Sequence, residues 1–380
     1  MNSPLTAMDQ AHLGRALELA EGGRGRVSPN PLVGAVVVRD GAVVGEGFHA
    51  ELGGLHAERA ALADCRERGE DPAGATMYVT LEPCAHEGRQ PPCVEAILEA
   101  GVTRVVIASD DPSEKTAGRG PEILRSGGVE VVFAEGDLAT AAKLLNQPFR
   151  KHARTGLPLV ILKLAMSLDG QTATAPGDSP WISGEQSREL VHRWRAECDA
   201  IAVGIGTALA DDPLLTARID GARQPKRVVF DSQARLPLDS QMMKTVDRAP
   251  VLVVVGHDAP GDRLGALGSA GAETIAAANI ESALRTLGRR EVTSLFLEGG
   301  QALASSFVGA GQVDESRTFI APMLLGQDNG GRRAGSVSDS GLSLPGESSE
   351  SSPPARVAAL DSNSEQVGDD ILVSARYKEW

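Results

Sequence analysis

Leu55-His56-Ala57-Glu58-Arg59-Ala60, Tyr78-Val79-Thr80-Leu81-Glu82-Pro83-Cys84, and then Cys93 behind Pro91-Pro92 make up the stretch whose reading decides the first half of this chain. The first segment opens a helix, the second is a strand running into a Pro-Cys turn, and Cys93 begins another helix. One imidazole and two thiolates form a three-ligand metal set that leaves a fourth position for water, as a hydrolytic zinc centre requires. Such a metal lowers the pKa of water to about 7, and Glu58 is placed to move the proton released. Residues two apart cannot share a helix face. His56 therefore belongs at the loop–helix junction, with Glu58 one step inside.

Read alone, each part is ordinary. His-x-Glu recurs by chance, and two cysteines nine positions apart are compatible with a structural zinc site or with no metal. Structural sites usually recruit a fourth Cys or His, and only His86 lies nearby. Zinc deaminases carry His-x-Glu followed by Pro-Cys-x-x-Cys. Here the gap between the thiols is longer, so Ala85-His86-Glu87-Gly88-Arg89-Gln90-Pro91-Pro92 must bulge beside the metal.

Outward from this stretch the pattern alternates. Helices are predicted at 9–22, 57–69, 94–101, 121–127 and 137–147, and strands at 33–39, 43–48, 75–80, 104–108 and 129–133. An Asp40-Gly41 turn joins the first two strands as a hairpin. This is an α/β layer pattern with a partly parallel sheet. The polar run Arg150-Lys151-His152-Ala153-Arg154-Thr155-Gly156 sets a domain boundary near residue 150, giving domains at 1–150 and 157–380. In the second, strands are predicted at 159–166, 200–204, 227–231, 250–255, 293–297 and 314–321, and helices at 184–196, 281–289 and 300–309. Residues 327–355 turn Gly- and Ser-rich and read as a mobile loop. Short strands are expected to return at 357–360 and 370–376.

Bulk composition limits the partners. With 380 residues, 42% apolar and 23% charged, the chain is long enough for two or three globular domains. The net charge of −14 leaves no basic stripe for nucleic acid, whereas a small anion needs only a few local cations. No apolar run approaches the ~20 residues of a membrane span, and no secretory leader is seen, so a cytoplasmic location is expected. Cys65 and Cys198 read as small buried apolar residues.

The motifs together resemble the bifunctional riboflavin-biosynthesis deaminase–reductase family. Ser28-Pro29-Asn30-Pro31-Leu32-Val33-Gly34, His56-Ala57-Glu58 and Thr80 to Cys93, long inter-thiol loop included, match its first half, as do Asp110-Asp111-Pro112 and Ala117-Gly118-Arg119-Gly120. Lys163 to Gly170, Ser179-Pro180-Trp181-Ile182-Ser183, Gly206 to Pro213 and Glu298-Gly299-Gly300 match its second. The resemblance implies an α/β chain with two parts: a cytidine-deaminase-like α/β/α domain and a dihydrofolate-reductase-like α/β domain. It implies zinc-dependent deamination of a diaminopyrimidinone ribosylamino 5′-phosphate, then NADPH-dependent reduction of the ribosyl chain to ribityl. A homodimer or higher homo-oligomer through the second domain follows from it.

The site residues are carried over position by position. His56, Cys84 and Cys93 would hold zinc, Glu58 would be catalytic, and Asn30 and His49 would hold the pyrimidine. His86 and Arg89 face either the same pocket or solvent. Ala165, Trp181, Thr207, Asp211, Ser232 and the run Gly300, Gln301, Ala302, Leu303, Ala304, Ser305, Ser306 would line the NADPH site. Ser179, Arg195, Leu215, Arg218 and Glu298 would contact substrate, with the two arginines suited to its phosphate. Lys163, inside an apolar strand, either reaches the ribose end or pairs with a nearby Asp. Asp211 is the candidate general acid. On its own residues the second half says less: two glycines at a strand–helix junction favour a phosphate, but taken alone they are better explained by an ordinary strand–helix turn.

Overall fold

The structure, a computed structural model, describes residues 5–88, 90–113, 117–172, 182–326 and 357–380. The chain divides into two compact units, Met1–Gly156 with Trp380, and Leu157–Glu379.

The first unit orders as α1 (Ala7–Ala20), β1 (Gly34–Arg39), β2 (Ala42–Phe48), α2 (Ala57–Arg68), β3 (Thr76–Val79), α3 (Cys93–Glu99), β4 (Arg104–Ile107), α4 (Arg119–Ser126), β5 (Glu130–Phe133), α5 (Asp137–Leu145) and α6 (Gln147–Thr155). Its sheet runs β2-β1-β3-β4-β5, antiparallel across β2, β1 and β3 and parallel from β3 to β5. Asp40 and Gly41 both take positive φ, 53° and 82°, as a two-residue hairpin turn of the right twist demands. Alternate strand residues feed two cores, because side chains on a strand alternate in direction. Ala35, Val37, Met77, Val79, Val105 and Ile107 face one layer, and Val36, Val38, Tyr78 and Val106 the other. The apolar runs are thus buried on both faces, as a helix-covered sheet requires.

Two glycines bring α2 close. A Cβ at Gly45 would stand 2.4 Å from the Ala61 carbonyl oxygen, and one at Gly47 would stand 2.3 Å from the Ala61 nitrogen. Any side chain there would lift α2, and with it His56 and Glu58, off the sheet.

The second unit orders as β6 (Leu159–Ser167), α7 (Glu185–Glu197), β7 (Ala200–Gly204), α8 (Ile205–Asp211), β8 (Lys226–Phe230), α9 (Gln241–Lys244), β9 (Val251–Val255), α10 (Gly261–Ser269), β10 (Glu273–Ala276), α11 (Ile280–Gly288), β11 (Ser294–Leu297), α12 (Gln301–Gly309), β12 (Glu315–Ala321), β13 (Asp361–Val367) and β14 (Asp370–Arg376). Its sheet runs β10-β9-β8-β7-β11-β6-β12-β14-β13. Pairings are parallel from β10 through to β12 and antiparallel at β14 and β13. The chain winds outward from β7 to β10 and then returns to insert β11 between β7 and β6. Strand order therefore reverses there, and in open α/β sheets ligands collect outside the carboxyl ends of the strands at such a reversal.

Several boundaries differ from the sequence reading. Residues 147–155 are helical, because Gly156, in the left-handed conformation at φ 71°, stops α6 only there. The first C-terminal strand is 361–367 rather than 357–360, and most of it is exposed. An edge strand with one neighbour buries little and carries no apolar signature. β10, α8, α9 and α10 were not foreseen. Ser179, Trp181, Arg89 and the Ser-rich 327–356 lie outside the described residues. No helix among the described residues is long and apolar enough to cross a membrane.

Candidate active sites

In the first unit His56 is the N-cap of α2, with extended backbone at φ −70° and ψ 157°, so its ring hangs off the helix end rather than along its face. Cys93 opens α3, and Cys84 lies in the loop after β3. His56 Nδ1 is 3.5 Å from Cys84 Sγ and 3.4 Å from Cys93 Sγ. One ligand atom from each residue falls within 4.8 Å of the others. The Cys93 backbone N–H donates to Cys84 Sγ at 3.4 Å, which favours the thiolate. Arg59 fixes the approach to Cys93 by donating to the carbonyls of Pro91 and Pro92 at 3.2 and 2.8 Å.

Charge tests the fit to a metal. Glu58 is 4% exposed; burial, then the Cys84 charge, pushes its carboxyl up to about 7. The hydrogen bond with Cys93, then that with His56, pulls Cys84 down to about 4 against its burial. Cys93 is driven up by the hydrogen bond to Cys84, burial and the Glu58 charge. Two thiols and a carboxylate crowded together with one imidazole make a strongly cation-seeking set, and two sulfurs with one nitrogen suit zinc.

His49, 3% exposed, borders this set, its ring 5.4 Å from that of His56. Its Nδ1–H donates to the Leu55 carbonyl at 2.9 Å, which leaves Nε2 to accept from Asn30 Nδ2 at 3.1 Å. Burial holds it below its usual value, so it remains neutral in this tautomer. The loop bearing Asn30 is anchored by a reciprocal pair: Leu32 N–H donates to Asn146 Oδ1 at 2.8 Å, and Asn146 Nδ2 donates to the Leu32 carbonyl at 2.9 Å. His86 is exposed.

Sequence reasoning passed over Glu82. It is buried, its Oε1 has no hydrogen-bond partner among the described residues, and burial raises its carboxyl. The signal was present, a carboxylate between an apolar strand and the Pro-Cys turn.

In the second unit Thr207 and Asp211 follow the carboxyl end of β7, Ser232 that of β8, and Glu298 and Gly300 that of β11, whereas Lys163 and Ala165 lie within β6 and Arg195 on α7. Gly300, the N-cap of α12, donates its N–H to Thr207 Oγ1 at 3.2 Å, joining the ends of β11 and β7. A small cavity at the ends of β8 and β9 is lined by Phe230, Asp231, Ser232, Val254, Val255, Asn279 and Ile280. Within the 300–306 run, Leu303 and Ala304 point into the core, so a ligand there meets the backbone of the first turn rather than those side chains. Asp211 ends α8, exposed, its carboxyl raised by desolvation.

Glu298 accepts two hydrogen bonds from Arg195, from Nε at 2.6 Å and Nη2 at 2.9 Å. Arg195 Nη1 donates to the Thr216 carbonyl at 3.2 Å. The Arg195 fork is therefore spent on Glu298, and Arg218, exposed and with no ion pair among the described residues, is the unpaired cation beside it. The opposite charge that acts on Lys163 is Glu298, not an Asp, and burial lowers its pKa. Leu215 and Arg218 both adopt positive φ, 53° and 52°, a costly conformation that clusters at ligand sites.

Comparison with known proteins agrees with this division. Residues 6–109 match the cytidine and deoxycytidylate deaminase zinc-binding region, and residues 158–357 match the RibD C-terminal domain. The riboflavin biosynthesis protein RibD of Actinobacillus pleuropneumoniae is 42% identical over 332 residues, covering 86% of each chain. That of Escherichia coli is 41% identical over 346 residues, covering 84% of this chain and 89% of its own. Among solved structures, Acinetobacter baumannii RibD aligns with TM-score 0.83 at 37% identity, covering 98% of this chain and 99% of its own. A diaminohydroxyphosphoribosylaminopyrimidine deaminase/5-amino-6-(5-phosphoribosylamino)uracil reductase from Thermotoga maritima aligns with TM-score 0.81 at 36% identity, covering 98% and 99%.

Proposed function

The chain belongs to the RibD family of riboflavin-biosynthesis enzymes, and from that premise we propose how its own residues divide two successive reactions. It is a bifunctional enzyme: a zinc-dependent deaminase of 2,5-diamino-6-(5-phosphoribosylamino)pyrimidin-4(3H)-one and an NADPH-dependent reductase of the deaminated product. The observation that carries the reading is the convergence of His56, Cys84 and Cys93 beside the buried Glu58.

His56, Cys84 and Cys93 hold the zinc. When bound, zinc supplies a Lewis acid that lets water ionise near pH 7. Glu58, poised to carry a proton near neutrality, takes it from the water and delivers it to the departing amine. Asn30 and His49 orient the pyrimidine; fixing both the His49 tautomer and the Asn30 amide presents one defined pattern of donors and acceptors.

In the second unit NADPH supplies hydride, and chain residues align donor and acceptor. The backbone at Gly300 and Gln301, with Ala165, Thr207, Asp211 and Ser232, lines the cofactor side, and Trp181 is assigned there by family resemblance. Lys163, Glu298 and Arg195 address the ribosyl end, and Leu215, Arg218 and Ser179 complete the substrate contacts. Asp211 is assigned the proton delivery of this step. A homodimer or higher homo-oligomer through this unit, in the cytoplasm, completes the reading.

The test is incubation of purified, zinc-loaded protein with the diaminopyrimidinone substrate, with and without NADPH, followed by mass analysis. Exchange of amine for oxygen without NADPH, then a two-hydrogen gain with it, is expected. Deamination alone would remove the reductase assignment, and no turnover would remove both.

A further inference from the structure

Between α8 and β8 the chain passes through the loop 212–218, where positive φ falls on Asp212 at 40°, Leu215 at 53° and Arg218 at 52°. Asp tolerates that region through local hydrogen bonds, whereas Leu and Arg have no such means. These conformations persist only where the surroundings over-determine them, and here residues outside the loop do so. Gln241 donates its N–H to Asp212 Oδ1 at 2.8 Å and its Nε2 to the Asp212 carbonyl at 2.6 Å. Arg227 Nη1 donates to the Leu214 carbonyl and Arg195 Nη1 to the Thr216 carbonyl, both at 3.2 Å. The Ala217 N–H donates to Gln224 Oε1 at 3.0 Å. The anchored residues Leu214, Thr216 and Ala217 are thus the immediate neighbours of the left-handed Leu215 and Arg218.

Neither Gln224 nor Arg227 has been given a part in the reaction. Arg227, on β8, is fully buried, and it also donates to Thr245 Oγ1, the Thr245 carbonyl and the Ala249 carbonyl at 2.8, 2.9 and 2.5 Å. It meets backbone, not ligand. Gln224 is half-buried and its amide oxygen is taken by Ala217, itself buried. A buried N–H left without an acceptor is costly. Loss of the Gln224 oxygen would therefore free the backbone at Ala217 to turn towards another partner. Arg218 would then relax to negative φ, which redirects its Cα–Cβ bond and moves the guanidinium.

We propose that Gln224, supported by Arg227, is a positioning residue of the reductase step: it holds the Ala217–Arg218 backbone in the left-handed form that sets the Arg218 guanidinium against the substrate. This rests on the reductase reading. Gln224 acts through Arg218, so its effect exists only while that arginine is present.

The experiment measures NADPH oxidation on the deaminated pyrimidine ribosylamino 5′-phosphate by wild type, Gln224→Met, Gln224→Glu and Arg227→Lys, and by Arg218→Ala with and without Gln224→Met. Gln224→Met is expected to lower kcat/KM about 3–10-fold, chiefly by raising KM for the pyrimidine, with KM for NADPH within about twofold of wild type. Gln224→Glu, which keeps an acceptor for the Ala217 N–H, should recover most of the loss. Arg227→Lys, which keeps the charge but loses the fork, should raise the same KM. In Arg218→Ala protein, Gln224→Met should cost less than about twofold, since residues that act through one another are not additive. A lower Tm for Gln224→Met with KM for the pyrimidine unchanged would make the residue merely architectural and overturn the proposal. Loss of full size in the Arg218→Ala background would overturn it too. Should wild type itself oxidise no NADPH, the reductase reading fails and the proposal falls with it; normal wild-type turnover with an unaffected Gln224→Met removes the proposal alone.

Discussion

Arg195 and Glu298 form a two-pronged pair, Nε to Oε1 at 2.6 Å and Nη2 to Oε2 at 2.9 Å, with side chains only 12% and 9% exposed. Burial would raise the Glu298 carboxyl, yet Arg195, then Lys163, holds it below its usual value. Removing one partner strands the other: Glu298→Gln should cost roughly 3–5 kcal/mol, read as a lower denaturant midpoint of the reductase unit. Arg195→Met added to Glu298→Gln should restore most of that stability and none of the NADPH oxidation. Recovered activity in the double variant would reduce the pair to a structural element.

Among the described residues Glu58 is the carboxylate whose charge bears on Cys93 and His56, and it ligates nothing in the proposed arrangement. Glu58→Gln keeps the shape and removes the proton carrier. Deamination should fall on the order of 10²–10⁴-fold, with zinc content near one per chain and reductase activity unchanged. Loss of zinc in this variant would make Glu58 a ligand instead.

The two sites were unequally legible. His56, Glu58, Cys84 and Cys93 are rare residue types at fixed spacing, and the N-cap position of His56 follows from the two-residue step to Glu58. Asn146, pairing with Leu32 across 114 positions, carries no local signal. The Arg195–Glu298 pair joins a helix to a strand end 103 residues away, so nothing local to Arg195 distinguishes a carboxylate partner from a phosphate ligand. Among strands, β9 stood out as five buried aliphatics. β10 has one buried residue among four, too few to impose a period.

Asp9 links α1 to the strands far from the metal. It accepts from Arg104 at 2.6 Å, Tyr78 at 2.8 Å and Thr6 at 2.9 Å. Burial would raise its pKa, but these bonds prevail and hold it well below the usual range. A depressed carboxyl stabilises the fold above its unfolded pKa, about 3.9, and loses that contribution as pH falls below it. Asp9→Asn should therefore cost roughly 2 kcal/mol at pH 7, and the gap in Tm from wild type should narrow below about pH 4. A gap constant down to pH 3 would show that the charge contributes nothing.

Removing the metal should separate the four cysteines by chemistry. Cys84 is partly exposed and pulled down to about 4, so in chelated protein it is a thiolate at neutral pH, the form that alkylates. Cys198 is buried and pushed up to about 12, Cys65 is buried and raised, and Cys93 is buried and raised by its neighbours. After chelation, iodoacetamide should label Cys84 first, and peptide mapping should find Cys65 and Cys198 unmodified on the same timescale. Zinc restored beforehand should protect Cys84, because the metal then occupies its lone pair. Deamination should fall and recover in step with that protection, while NADPH oxidation on the deaminated substrate stays constant. Rapid labelling of Cys84 in the zinc-loaded protein would mean that the sulfur is not a ligand, and the hydrolytic site would have to be built without it.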